Sequence, residues 1–151
     1  MKSVKGDLIR LAIEGHFDVI IHGCNCFCTM GAGIARAIRE TFPEAWEADL
    51  STEKGSREKL GTFSHAWVER EGHRLAIINA YSQYHYGGGG VLADYKAIRS
   101  IFKKLKRDFS GRRFGYPLLG AGLAGGDWNV ISQIIDEELE GEDHTLVKFS
   151  G

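Results

Sequence analysis

Short runs of consecutive apolar residues alternate along the chain with longer stretches in which apolar residues recur every three or four positions. Val19, Ile20 and Ile21 form one such run, mostly β-branched, which suits a strand covered on both faces, and Gly23 begins the departure from it. Helical spacing takes over near Gly33: Ile34, Ala35, Ala37, Ile38 and Phe42 fall on one face, while Arg36, Arg39 and Glu40 point to water. Upstream, Val4 marks a short strand, Asp7 caps a brief helix carrying Leu8, Ile9, Leu11, Ala12 and Ile13, and Gly15 ends it. Downstream, Pro43 opens a further helix through Trp46 and Leu50, and the charged, turn-rich residues 51–59 are expected on the surface. Residues 60–69 and 75–78 read as an antiparallel pair joined by a turn at 70–73. Helical spacing returns over 91–109, a strand follows at 114–119, and Val130, Ile131, Ile134, Ile135 and Leu139 define the next helix. Gly141 stops that helix, and residues 144–149 supply a last strand. Strands alternating with helices, plus one hairpin, predict an α/β fold with a mixed sheet covered on both faces.

A length of 151 residues fits one domain, 1–151, with enough material for a real core. The 19 basic and 20 acidic side chains nearly cancel, which argues against a protein that grips duplex nucleic acid mainly through phosphates. The one basic cluster, Lys103, Lys104, Lys106 and Arg107, sits late in a predicted helix, where cations meet the helix dipole favourably. The N-terminus has no charged segment followed by a long apolar run, so a cytoplasmic protein with no membrane attachment is expected. Cys24, Cys26 and Cys28 are odd in number and crowd one segment, a poor disulfide framework, and their spacing with His22 is tighter than a zinc site needs. Buried, reduced thiols are expected, with no metal and no cofactor.

Two glycine loops carry the candidate chemistry. Gly31 and Gly33 lie between a strand and a helix, and so do Gly120, Gly122, Gly125 and Gly126. A helix N-terminus carries about half a positive charge, and glycine lets a phosphate approach backbone N–H groups closely. If the two strands are neighbours, both loops face one crevice at the carboxyl end of the sheet, which suits a diphosphate and needs no lysine. His85 precedes four consecutive glycines, residues 87–90, expected to form a mobile loop, and is a candidate general acid or base. Asp127 either caps the helix that begins near Trp128 or holds a water at the site.

Three motifs in order, KGDLI at 5–9, IIHGCN followed by MGAGIARAI within 20–38, and YPLLGAGLAGGDW at 116–128, resemble the macro domains, the ADP-ribose-binding family. The last motif is similar to phage and bacterial members that process ADP-ribose 1''-phosphate. The resemblance covers nearly the whole chain and implies a three-layer α/β/α sandwich around a mixed sheet of about six strands. It assigns Asp7 to the adenine amino group, Leu8 to a backbone contact, and Asn25 to the distal ribose hydroxyls. It assigns Met30, Gly31, Ala32, Gly33 and Ile34 to the first phosphate loop, and Gly120, Ala121, Gly122, Leu123 and Ala124 to the second. The implied partner is ADP-ribose or a derivative, including an ADP-ribosylated macromolecule. The implied activity is hydrolysis at the distal ribose, with ADP-ribose 1''-phosphate as first substrate and Asn25, His85 and Asp127 as catalytic candidates. A module that reads ADP-ribose without turnover is the alternative, and a nucleic-acid-binding domain a further one. Some hydrolases of the related branch use a lysine at the end of the strand after the hairpin and an acid immediately after the G-x-G-L of the second loop, where this chain has Asn79 with Ala80, and Ala124. Many members also cover the distal ribose with an aromatic at the position of Ala124, a task left here to Tyr81, Tyr84 or Tyr86.

Overall fold

The computed structural model describes residues 1–87, 90–122 and 124–150. Its strands are β1 (Lys2–Gly6), β2 (Val19–Cys24), β3 (Phe63–Arg70), β4 (His73–Tyr81), β5 (Arg113–Tyr116) and β6 (Asp143–Phe149). They form one sheet in the order β1-β6-β5-β2-β4-β3. Every neighbouring pair is parallel except β3 and β4, which form the hairpin. Its two-residue turn places Glu71 at φ 50° and Gly72 at φ 77°, the left-handed pair whose twist matches that of the strands.

The helices are α1 (Leu8–Ile13), α2 (Gly33–Thr41), α3 (Pro43–Leu50), α4 (Tyr95–Phe109) and α5 (Trp128–Glu138). Alternation along β2 and β4 divides the core into two layers. Val19, Ile21, Ala76 and Ile78 pack on one face with Ile98 and Phe102 of α4 and Ile131 of α5. Ile20, Leu75 and Ile77 pack on the other with Leu8 and Ala12 of α1, Ile38 of α2 and Ala45 of α3. This is the expected α/β/α sandwich with a mixed six-stranded sheet.

Several boundaries differ from the sequence expectation. β2 runs on through Gly23 to Cys24, because β4 continues to pair with it as far as Tyr81. β5 stops at Tyr116, before Pro117, which has no N–H to extend the ladder. α4 starts at Tyr95, where the Asp94 carboxylate accepts the Ala97 N–H at 2.9 Å. Residues 51–59 are not uniformly exposed: Lys59 is buried, and its Nζ donates to the Cys26 carbonyl at 3.0 Å and contacts Cys28 Sγ at 3.5 Å.

Candidate functional site

β2 and β5 are adjacent and parallel, with Val19 opposite Phe114 and Ile20 opposite Gly115, so the loops that leave them open on the same edge of the sheet. Between those loops lies a cleft of about 880 Å³. Ala32, at the N-cap of α2, offers no side-chain oxygen to the helix, so the first-turn N–H groups remain free to meet a ligand. Ile34, Ala35 and Ala37, expected on the buried face of α2, are only half-buried because that part of the face lines the cleft. None of the described residues lining it is Lys or Arg, so an anion held here would depend on backbone amides.

Asp7, Leu8, Asn25, Met30, Gly31, Ala32, Gly33, Ile34, Gly120, Gly122 and Ala124 all line this cleft. Asp7 caps α1 with one oxygen, Oδ1, which accepts from Ile9 N at 3.0 Å and Arg10 N at 3.2 Å. Its second oxygen has no partner among the described residues, so capping and ligand binding are compatible. Asn25 Nδ2 donates to Thr29 Oγ1 at 2.7 Å, and its Oδ1 accepts from Phe27 N at 2.8 Å. That fixes the turn while leaving one N–H and one lone pair of the amide for a ligand. Gly120 has φ 77°, and Gly126 lies so close that a Cβ would come within 2.5 Å of the Gly120 carbonyl oxygen; a Cβ on Gly122 would meet nothing within 4 Å.

Other candidates lie elsewhere. Ala121 does not line the cleft; its N–H donates to the Leu118 carbonyl at 3.1 Å and its methyl packs on the α4–α5 core. Leu123 lies outside the described residues, as do Gly88 and Gly89 of the loop expected to be mobile. His85 is exposed and off the cleft wall, its Nδ1 accepting from Gly87 N and its ring stacked on Tyr86 at 4.7 Å. Asp127 is also off the wall and caps α5 through Asn129 N at 2.9 Å. Of the three tyrosines, only Tyr86 lines the cleft. Tyr84 OH donates to the Gly55 carbonyl and Tyr81 is buried beneath.

The loop after β2 is strained, with Cys28 at φ 55° and Met30 at φ 39°. It is held by Lys59 Nζ and by Gly55 N, which donates to the Cys26 carbonyl at 2.7 Å. Cys24 and Cys26 are buried, Cys28 is half-buried, and all three are free thiols. Burial pushes the Cys24 thiol well up, and it pushes His22 down to about 4, so this pair is neutral at pH 7 and supplies no thiolate. Among the described residues no group of three or more His, Cys, Asp and Glu is placed to hold a metal. No helix among them is long and apolar enough to cross a membrane.

Phe149 and Asp49 are among the lining residues that sequence reasoning missed. Phe149 lines the cleft although 79% exposed, and β-pairing sets it opposite Gly6, next to Asp7. The period-two step from Val147 along β6 was its only signal. Asp49, at the end of α3, lines the cleft yet is 1% exposed. Its Oδ1 accepts from Tyr81 OH at 2.7 Å, while its Oδ2 is buried with no partner among the described residues. Burial raises its carboxyl above the usual range, against the lowering effect of Tyr81 and of Lys59. Nothing in the local sequence marks it, because the groups that shape its environment come from β4 and from the turn before β3.

The chain matches no protein-family model. It is 35% identical over 141 residues to a 17.5 kDa protein of Enterobacteria phage T4 from the tk-vs intergenic region, covering 90% of this chain and 88% of that one. Among solved structures, a Bacteroides thetaiotaomicron protein of unknown function superposes with a TM-score of 0.78 at 26% identity, over 97% of this chain and 96% of that one. The macrodomain of Mycobacterium tuberculosis DarG gives 0.76 at 19% identity, over 99% and 97% of the two chains. Thermosipho africanus DarTG in complex with ADP-ribose gives 0.72 at 16% identity, with 99% of this chain matched to 42% of that one. The chain belongs to one family with the phage T4 protein, and its sandwich, with the two loops on adjacent strands, has the fold of the macrodomains.

Proposed function

We propose that the cleft binds ADP-ribose or a derivative and hydrolyses it at the distal ribose, with ADP-ribose 1''-phosphate as the first substrate to test. The observation that carries this is the pairing of two glycine loops across β2 and β5 in a cleft whose described lining residues include no cationic side chain. Such a site selects a diphosphate through backbone amides. At one end the free oxygen of Asp7 accepts the adenine amino group, beside the exposed ring of Phe149, which suits stacking on a base. At the other end Asn25 takes the distal ribose hydroxyls and Tyr86 covers that ribose. The similarity to a DarTG structure that contains ADP-ribose supports the ligand class. The adenosine diphosphate portion supplies binding energy that holds the distal group against an attacking water, so orientation and backbone amides carry much of the catalysis.

Calorimetry with ADP-ribose, run beside a phosphate-release assay on ADP-ribose 1''-phosphate, tests both halves. Binding and release are expected; absence of binding overturns the assignment. One observation favours a reader without turnover: His85 and Asp127 are off the cleft wall, and the lysine and acid positions of related hydrolases hold Asn79, Ala80 and Ala124. Binding with no turnover of any ADP-ribose ester or phosphate would select it. The basic cluster gives nucleic-acid binding little support, since Lys104 donates to the Gly61 carbonyl, Lys106 to the Glu140 carbonyl, and Arg107 pairs with Asp108.

A further inference from the structure

A hydrolase built on this cleft needs a group to take a proton from water. We propose that Asp49 is that general base, activating the water that attacks the distal end of the bound ADP-ribose derivative. This rests on the hydrolase assignment above and adds the residue that performs its chemistry.

Asp49 is one of two carboxylates that line the cleft among the described residues, and the other, Asp7, caps α1 with one oxygen, follows the Gly6 that pairs with Phe149, and is given to the adenine amino group above. Asp49 lies at the Asn25 end: the Cys28 thiol, within the turn that Asn25 organises, donates to the Asp49 carbonyl at 3.2 Å. Its two oxygens are differentiated. Oδ1 ends a chain of donors in which Asn79 Nδ2 donates to Ser64 Oγ at 3.0 Å, Ser64 Oγ lies 2.7 Å from Tyr81 OH, and Tyr81 OH donates to Asp49 at 2.7 Å. Oδ2 is buried and has no hydrogen-bond partner among the described residues, so it is the one oxygen of this carboxyl that no protein donor occupies there. An unsatisfied buried carboxylate oxygen is costly, and a water or ligand hydroxyl removes the cost.

The other titratable groups facing it are Tyr81 from β4, Lys59 before β3, and Cys24, Cys26 and Cys28 from β2 and its loop. Burial pushes the Cys24, Cys26 and Tyr81 protons toward retention, so Tyr81 remains a donor to Oδ1. Burial also raises Asp49 itself, toward the basicity a general base needs near neutral pH.

The step balances. As the water oxygen bonds to phosphorus, one water proton passes to Asp49 Oδ2. The bond between phosphorus and the 1''-oxygen breaks with its electron pair on that oxygen, which takes the same proton back from the Asp49 carboxyl. The products are ADP-ribose and phosphate, and the carboxylate is restored.

Asp49→Asn keeps an oxygen for Tyr81 to donate to, so the fold is preserved while the base is lost. The expected result is phosphate release reduced by about a hundredfold or more, with ADP-ribose affinity on calorimetry changed little. The wild type should lose activity as pH falls through the Asp49 pKa, and that limb should disappear in Asp49→Asn. Tyr81→Phe removes a hydrogen bond that favours the ionised carboxylate, so the limb should move to higher pH with binding retained. A purely structural Asp49 would not move the limb in either variant. Asp49→Asn with near-normal release and an unchanged pH profile overturns the proposal while leaving the hydrolase assignment standing. A wild type that binds ADP-ribose and releases no phosphate also overturns it, in favour of the reader. A wild type that does not bind overturns the functional assignment itself. If Asp49→Asn does not fold, the limb in Tyr81→Phe decides alone.

Discussion

Gly122 and Gly126 belong to the same loop, but a Cβ would have opposite consequences at the two positions. On Gly122 it would project into open space at the cleft, so Gly122→Val should fold with a Tm close to that of the wild type and lose ADP-ribose binding on calorimetry. A folded variant that binds normally would remove the second loop from the site. On Gly126 the same carbon would press against the Gly120 carbonyl at 2.5 Å and the Ile131 side chain at 2.9 Å, so Gly126→Ala should cost about 1–3 kcal/mol in urea melts. The sequence shows two glycines and no difference between them, since the difference lies in what each one faces. Its motif marked Asn25 as a candidate ligand residue, and the structure places it on the cleft wall with hydrogen bonds to Thr29 and Phe27 that make it a turn-former. With its proposed partner the distal ribose, Asn25→Ala should lower phosphate release more than AMP affinity. Equal losses would place it elsewhere.

Among the elements, the unit of β2, glycine loop and α2 was readable because its periodicity changes from consecutive apolar residues to helical spacing within a few positions. The loop's supports were not readable. Lys59 reaches it from a stretch whose composition says surface, and only the tertiary fold turns its amine inward against Cys26 and Cys28. β2 is also tied to β4 by a buried bond in which His22 Nε2 donates to Asn79 Oδ1 at 2.7 Å. Burial lowers His22 to about 4 in the folded chain against 6.5 for the free side chain. As pH falls through that interval the unfolded chain binds the proton first, so stability is fully present above 6.5 and is lost toward 4, by about 3 kcal/mol. His144, also lowered by burial, adds to the loss, whereas Asp49, raised by burial, opposes it. Urea midpoints at pH 7 and pH 4.5 should therefore differ more in the wild type than in His22→Gln, which lacks this proton. Equal differences would exclude His22 as a source of acid sensitivity.

For the whole molecule, the alternation of strands and helices disclosed an α/β sandwich, but strand order is a property of chain crossings that local patterns do not record. The adjacency of β2 and β5, on which the two-loop site depends, was only a condition at the level of sequence and is a fact of the structure. Some ninety residues separate these strands, and the hairpin and α4 are built from the intervening chain. The cleft therefore forms only when both sides of the sheet have assembled, and neither loop alone makes it. Occupancy and folding then share one equilibrium. Ligand at a hundredfold excess over Kd should raise unfolding free energy by about 2.7 kcal/mol, seen as a higher urea midpoint with an unchanged slope. A smaller effect accompanied by a broadened transition would mean that the cleft opens without the sheet. If the transition stays single, ADP-ribose acts as a clamp between distant parts of the chain, and its binding isotherm also measures the fraction of molecules whose central strands have met.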